Sequence, residues 1–265
     1  MSLVHEFVEH LKCEDAVLVW VVSAEGSVPR DAGAWMAVFE QTSINTVGGG
    51  HLEYQALDHA RACLRGQTHA SIVRYPLGPA LGQCCGGVVQ LQFERVGAAD
   101  VPKLLQRLAP VLQPVALFGG GHVGKALVQV LARLPFVITW VDSRDEIFPD
   151  NLSPNVGCEY SDPVPSAVRD LVSGSQVLIM SFSHAEDMDV VAACLQRQRE
   201  RGDLPYIGLI GSQSKWASFR HRLQERGFTE QELAHVTCPI GIPGITRKEP
   251  EVIAVAVAAQ LLQGV

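Results

Sequence analysis

Two adjacent cysteines, Cys84 and Cys85, stand in a frame of glycines in the stretch GQCCGG at residues 82–87. A disulfide between sequence neighbours would close a small, strained ring and tie no distant segments together. Cysteine also serves as a small hydrophobic residue in many cores, but a core position favours neighbours that pack, and glycine has no side chain. We therefore interpret the pair as thiols open to a bulky ligand, suited to a soft or sulfur-bearing metal centre.

A glycine-rich turn in LFGGGHVGKAL, residues 117–127, carries Gly119, Gly121 and Gly124 in the pattern G-x-G-x-x-G. The turn follows an apolar strand and opens a helical pattern, and the next strand ends in Asp142. This context is typical of dinucleotide binding, in which helix N–H groups face a pyrophosphate and the acidic residue takes a ribose hydroxyl. The alternative is a Rossmann fold that has lost its nucleotide.

Two histidines are expected near that turn. His122 lies inside it, and His184 belongs to SFSHAEDMD, which follows the fourth strand of this half. In the strand order 3-2-1-4 the first and fourth strands are neighbours, so both histidines should share one crevice at the carboxyl edge of the sheet. The alternative for His184 is a helix cap. Two histidines and an aspartate are too few to name a metal.

The first half offers a second set of binding residues. The stretch TVGGGHLE, with Gly49 and Gly50, is a glycine-rich entry to a helix and so a second anion cradle, or else a turn that lets the helix pack closely. Arg30 follows Pro29 in GSVPRDAGA. Its planar guanidinium suits a phosphate or a partner's carboxylate, and the alternative is a solvated charge in a loop.

Composition excludes several classes of protein. The 265 residues are 47% hydrophobic and 18% charged, which is typical of a soluble globular protein. The formal net charge of −7 disfavours a general nucleic-acid or anionic-membrane binder. Glu6 and Glu9 make the first residues an amphipathic helix and not a signal peptide, and no apolar run reaches membrane-spanning length. We expect a cytoplasmic protein with reduced thiols.

The pattern predicts an α/β protein of two parts. Residues 1–98 should form a smaller α+β domain that contains the cysteine loop, and residues 99–113 a linker helix. From residue 114 to 265 apolar strands alternate with helices, which predicts a Rossmann-like, doubly wound parallel sheet. The last helix, opened by Pro250, is apolar enough for a core or an interface.

Taken together, these stretches resemble the XdhC/CoxI family of xanthine dehydrogenase accessory proteins. The matching segments occur in the family's order and span almost the whole chain: GSVPRDAGAWM, GGGHLE, GQCCGG, LFGGGHVGKAL, VDSRDEIFP, SHAEDMD, YIGLIGSQSK and CPIGI…KEPEVIAVAVAAQ. One departure is visible. Where the family has Thr-His-Asp-His, this chain has SHAED, which keeps His184 and Asp187 but lacks the second histidine.

The resemblance implies an accessory protein with no catalytic residue of its own. Such a chaperone binds the molybdenum cofactor (molybdopterin), protects it from oxidation and supports exchange of an oxo for a sulfido ligand, with sulfur from a cysteine desulfurase. It then delivers the cofactor to a xanthine dehydrogenase-type molybdoenzyme of purine catabolism. Cys84 and Cys85 would hold the molybdenum, and a homodimer is an open alternative to a monomer.

Two other classes compete with this reading. One is an NAD(P)-dependent oxidoreductase that uses Asp142 for the ribose and the cysteine pair for redox chemistry. The other is a protein-binding scaffold whose Rossmann half is empty.

Overall fold

The computed structural model describes residues 3–69, 71–77 and 86–264. Cys84 and Cys85 lie outside the described residues. The chain divides into two compact units, residues 1–109 and 110–265, each with its own sheet and its own cores.

The N-terminal unit is built around a five-stranded antiparallel sheet with the order β3-β2-β1-β5-β4. Its strands are β1 (Ala16–Glu25), β2 (Trp35–Val38), β3 (Ser43–Asn45), β4 (Ile72–Pro76) and β5 (Val88–Val96). Its helices are α1 (Leu3–Leu11), α2 (Gly50–Leu64) and α3 (Val101–Arg107). The fully buried run of β1 explains its central place, because both faces of this strand are covered.

Each face of this sheet carries a core. Helix α2 supplies Leu52, Ala56 and Ala60 to one core, at the helical spacing seen in the sequence. Helices α1 and α3 cover the other face, where Phe7 and Leu104 are buried together. Helix α3, which lies in the segment predicted as a linker, therefore packs into the N-terminal core. The predicted domain limits themselves stay a prediction.

The C-terminal unit has a six-stranded sheet in which every pair of neighbours is parallel, with the order β11-β10-β9-β6-β7-β8. Its strands are β6 (Gln113–Phe118), β7 (Phe136–Asp142), β8 (Val156–Tyr160), β9 (Gln176–Ile179), β10 (Tyr206–Leu209) and β11 (Val236–Thr237). Its helices are α4 (His122–Leu131), α5 (His184–Arg201), α6 (Gln213–Glu225), α7 (Glu230–Leu233) and α8 (Pro250–Gln263). This is the doubly wound Rossmann order, so the predicted fold class is confirmed.

Helices cover both faces of the parallel sheet. Helices α4 and α8 pack on one face through Leu127 and Val257, and α5 packs on the other through Val191. The buried strand β9 sits beside β6, so the order of strands reverses between β6 and β9. Ligands of such sheets bind at this reversal. Within the described ranges, no helix is both long and apolar enough to cross a lipid bilayer.

Candidate functional site

The three glycines of the turn after β6 have two different roles. A Cβ on Gly119, whose φ is +123°, would lie 2.1 Å from the Met180 carbonyl oxygen. A Cβ on Gly124 would lie 2.1 Å from the Gly119 carbonyl oxygen. A Cβ on Gly121 would meet nothing within 4 Å, and this residue is exposed where α4 begins. Two glycines are thus required for packing, and Gly121 faces open space.

Asp142 ends β7, as predicted, and is only 2% exposed. It accepts hydrogen bonds from Gly120 N at 2.6 Å and from three nitrogens of Arg144: the backbone N at 3.0 Å, Nε at 2.8 Å and Nη2 at 2.9 Å. Burial alone would raise the pKa of Asp142, but the bonds from Arg144 and Gly120 outweigh it and hold this pKa below its ordinary value. The predicted ribose acceptor is therefore engaged with protein donors.

The loops after β7 and β9 meet beside the glycine turn. The Arg144 guanidinium carbon lies 4.6 Å from the centroid of the Phe182 ring. Ser143 Oγ donates to Glu186 Oε1 at 3.1 Å, and Phe182 N donates to Glu186 Oε2 at 3.1 Å. Because β7 and β9 flank β6, these contacts link the two walls of the crevice.

Both histidines begin helices at the carboxyl edge of this sheet. His122 is the first residue of α4 after β6, and His184 is the first residue of α5 after β9. Both are exposed. Ser183 is the N-cap of α5 and accepts a hydrogen bond from Glu186 N, so His184 does not cap the helix. Adjacent parallel strands therefore bring the two imidazoles to one edge of the sheet.

A buried ion pair supports the same edge. Asp187 Oδ2 accepts from Lys215 Nζ at 2.6 Å, and Asp187 Oδ1 accepts from Ser181 N at 2.7 Å. Lys215 also donates to the Ile210 carbonyl oxygen at 2.8 Å. The pair ties the end of β9 to the start of α6, so Asp187 positions the loop that carries His184.

Cys238 lies close to this ion pair without being activated by it. Its Sγ is 3.9 Å from the Ser212 carbonyl oxygen. Burial raises the pKa of Cys238 to about 11, although Lys215 acts in the opposite direction. A thiol with such a pKa stays protonated at neutral pH and is a poor nucleophile.

The N-terminal unit gathers three of the predicted motifs at one end of its sheet. A Cβ on Gly48 would lie 2.4 Å from Pro29 Cγ and 3.7 Å from Arg30 Cγ, so the Arg30 loop packs on the glycine turn that opens α2. A Cβ on Gly87 would lie 2.5 Å from the Glu25 carbonyl oxygen. Gly87, the last residue of GQCCGG, therefore lies against the start of the Arg30 loop.

The turn at Gly49 and Gly50 already contains an anion. Glu53 Oε2 accepts from Gly49 N at 3.2 Å and from the Thr46 hydroxyl, and Thr46 Oγ1 in turn accepts from Gly48 N at 3.0 Å. Gly49, with φ +75°, is the N-cap of α2, and its Cβ would meet nothing within 4 Å. The anion cradle predicted here is thus filled by the Glu53 carboxylate.

No cluster of three or more His, Cys, Asp or Glu side chains suited to a metal occurs within residues 3–69, 71–77 and 86–264. Cys84 and Cys85, the predicted molybdenum ligands, are not among these residues. Among the described residues on either side of them, Leu77 N donates to the Gly87 carbonyl oxygen at 2.8 Å.

Sequence reasoning missed two side chains that line the crevice. Arg144 follows Asp142 by two residues, a spacing that allows a local carboxylate–guanidinium pair, and this signal was available. For Phe182 the sequence signal was weaker, because an aromatic residue beside a buried strand is more often part of a core. Its exposed fraction of 69% shows that it is not.

Comparison with known proteins agrees with this architecture. The model of the XdhC Rossmann domain matches residues 115–261, and the model of the XdhC and CoxI family matches residues 12–76. The uncharacterized protein YqeB of Escherichia coli K12 is 24% identical over 97% of this chain, which spans only 46% of that protein. A crystal structure described as a xanthine dehydrogenase from Bacillus halodurans superposes with a TM-score of 0.79 at 20% identity, over 100% of this chain and 96% of that one. The likeness to that structure shows the shared fold.

Proposed function

Because the chain belongs to the XdhC and CoxI family, we propose that it is an accessory protein in the maturation of a xanthine dehydrogenase-type enzyme. Its cargo is the molybdenum cofactor, which it protects, holds during exchange of an oxo for a sulfido ligand, and delivers. A cysteine desulfurase supplies the sulfur. The two family models match most of the chain, and the handling of the cofactor is our proposal.

The observation that carries this proposal is the gathering of three loops at one end of the N-terminal sheet. The loop that carries Arg30 packs on the turn at Gly48 through Pro29, and on Gly87, the last residue of GQCCGG, through Glu25 and Ser27. A metal dithiolene needs soft ligands, which Cys84 and Cys85 supply. Arg30 is exposed beside the glycine turn and suits the cofactor's anionic groups.

The competing oxidoreductase uses Asp142 to hold a ribose. In this structure Asp142 accepts from Arg144 and Gly120 instead, which disfavours that role. The chaperone does not need Asp142 for a ribose, since its cargo carries a phosphate on a pterin.

The direct test is to purify the protein without oxygen from cells that make the cofactor. We expect bound molybdopterin, recorded by absorbance and by molybdenum content in proportion to protein. Bound nicotinamide with no molybdenum would support the oxidoreductase, and the absence of both would support the scaffold.

The cysteine pair provides a sharper test. Replacing both residues, Cys84→Ser and Cys85→Ser, should reduce cofactor retention at least about tenfold. The sequence predicts a glycine-framed loop here, where substitutions rarely change stability by more than about 0.5 kcal/mol, so we expect the fold to stay intact. Retention is measured as molybdenum per protein after gel filtration. Cys13→Ser, an exposed thiol of the same unit, is the matched control. Equal retention by the double variant and this control would show that the pair does not hold the cofactor.

A second test concerns the glycine turn of the Rossmann unit. Gly121→Val places a side chain in the open space before α4, so a phosphate-bearing ligand should bind more weakly while the sheet still forms. Calorimetry with metal-free molybdopterin should show a dissociation constant raised at least about tenfold. Gly157→Val, on β8 with only the Ile138 carbonyl oxygen at 3.9 Å, is the control. Unchanged binding by Gly121→Val would show that the turn does not bind the ligand's phosphate.

A further inference from the structure

The acidic residue of the Rossmann crevice is saturated by the protein's own donors. In dinucleotide complexes of this fold, the adenosine ribose lies against the acid at the end of the second strand, which here is Asp142 on β7. A carboxylate offers about four acceptor positions. Gly120 N and the N, Nε and Nη2 atoms of Arg144 occupy them. No position remains for a ribose diol while Arg144 is in place.

The space beside Asp142 is closed by a second contact. Arg144 extends from the loop after β7 and covers the ring of Phe182 from the loop after β9, with 4.6 Å between the guanidinium carbon and the ring centroid. The hydrogen bond from Ser143 Oγ to Glu186 Oε1 also joins the loop after β7 to the first turn of α5. The adenosine of a dinucleotide would have to pass between walls that already contact each other.

The charges around Arg144 disfavour a phosphorylated ribose as well. Its hydrogen bonds to Asp142 are the main reason that the pKa of Arg144 is raised, and the carboxylates of Glu186 and Glu146 act in the same direction. In NADP complexes a nearby arginine donates hydrogen bonds to the 2′-phosphate, but here the Arg144 guanidinium already donates to the Asp142 carboxylate.

We propose that Arg144 and Phe182 are specificity-determining residues that close this crevice to NAD⁺ and NADP⁺. Together with Asp142 they fill the adenosine half and leave the glycine turn at Gly121 open. The ligand of this unit is then one that carries its phosphate without an adenosine. This goes beyond the proposed function, because it states which ligands the crevice excludes and which side chains exclude them.

The test is a gain of binding. In the double variant Arg144→Ala, Phe182→Ala, Asp142 keeps its bonds from the backbone nitrogens of residues 120 and 144 and gains free acceptor positions. Calorimetry on the full chain should detect no binding of NAD⁺ or NADP⁺, whereas the double variant should bind NAD⁺ with a dissociation constant at least about tenfold below the weakest that the experiment can detect. The control is Arg133→Ala, Val137→Ala, which removes an exposed arginine and an exposed apolar side chain near the opposite edge of the sheet.

Thermal unfolding establishes that each variant is folded. Arg144→Gln alone keeps a polar side chain beside Asp142 but removes at least one of the two side-chain donors, so it frees an acceptor position and gives a smaller gain in the same direction if the double variant fails to fold. Binding of either dinucleotide by the parent as tightly as by the double variant would overturn the proposal, as would a folded double variant with no gain. Metal-free molybdopterin is titrated in parallel: its failure to bind the parent contradicts the proposed function, while a gain of NAD⁺ still supports this inference.

Discussion

Gly119→Ala is expected to destabilise the Rossmann unit by about 3 kcal/mol or more. The new Cβ would lie 2.1 Å from the Met180 carbonyl oxygen, which belongs to the backbone and has little room to move, and the φ of +123° is strained for any L side chain. For a unit of this size the midpoint of thermal unfolding should fall by about 6–12 °C.

The same experiment has an internal control two residues away. Gly121→Ala adds a Cβ with nothing within 4 Å at a φ of −70°, so its cost should stay below about 1 kcal/mol. Circular dichroism on both variants gives the comparison. If Gly119→Ala and Gly121→Ala unfold at the same temperature, the fold does not require the close approach of the turn to the end of β9.

Lys215→Met should have an effect of similar size on the same unit. It removes the only side-chain cation bonded to Asp187 in the described part of the chain and leaves a carboxylate that is 3% exposed. Loss of one partner of a buried pair costs about 3–5 kcal/mol. Urea unfolding followed by circular dichroism measures the loss of free energy of unfolding.

A second pair, between α5 and the residue that follows α6, serves as the comparison. Arg226 and Asp189 are joined at 2.8 Å, but their side chains are 44% and 51% exposed. Arg226→Met should therefore cost less than about 1 kcal/mol. In the double variant Lys215→Met, Asp187→Asn the buried charge is gone, so part of the stability should return. Equal costs for Lys215→Met and Arg226→Met would contradict a buried, structural pair.

The alternation of strands and helices in the Rossmann unit was predictable, because each element shows its own pattern of apolar residues within a short stretch of sequence. Apolar runs such as residues 115–118 alternate with helical spacings, and the glycine turn marks the first crossover. The short strand β3 was missed, since Ser43–Asn45 has three residues and only Ile44 is buried. The edge strand β11, Val236–Thr237, is shorter still. Strand β3 pairs with β2 across a short turn and β11 pairs with β10, and both strands are too short to show a period of their own.

What the sequence could not predict at the site is mostly which groups form hydrogen bonds with one another. Asp142 was placed correctly at the end of β7, but its engagement by Arg144 depends on the path of the chain after the strand. Glu53 shows the same limit. Its position in the first turn of α2 was visible, whereas its bond to Gly49 N depends on how the preceding turn closes. The prediction for Cys84 and Cys85 remains a prediction, because these residues lie outside the described part of the chain.

The sheet order of the N-terminal unit has a consequence for the synthesis of the protein. Strands β3, β2, β1, β5 and β4 find all their partners before residue 97, and α3 completes the core by residue 108. Domains generally fold as units while the ribosome is still translating. This unit can therefore finish folding while the second is being made, whereas the Rossmann unit must wait for α8, whose Val257 and Leu261 complete its core. Translation that stalls within the Rossmann unit, after residues 1–109 have left the ribosome, would thus leave the loop of Arg30 already assembled on a nascent chain.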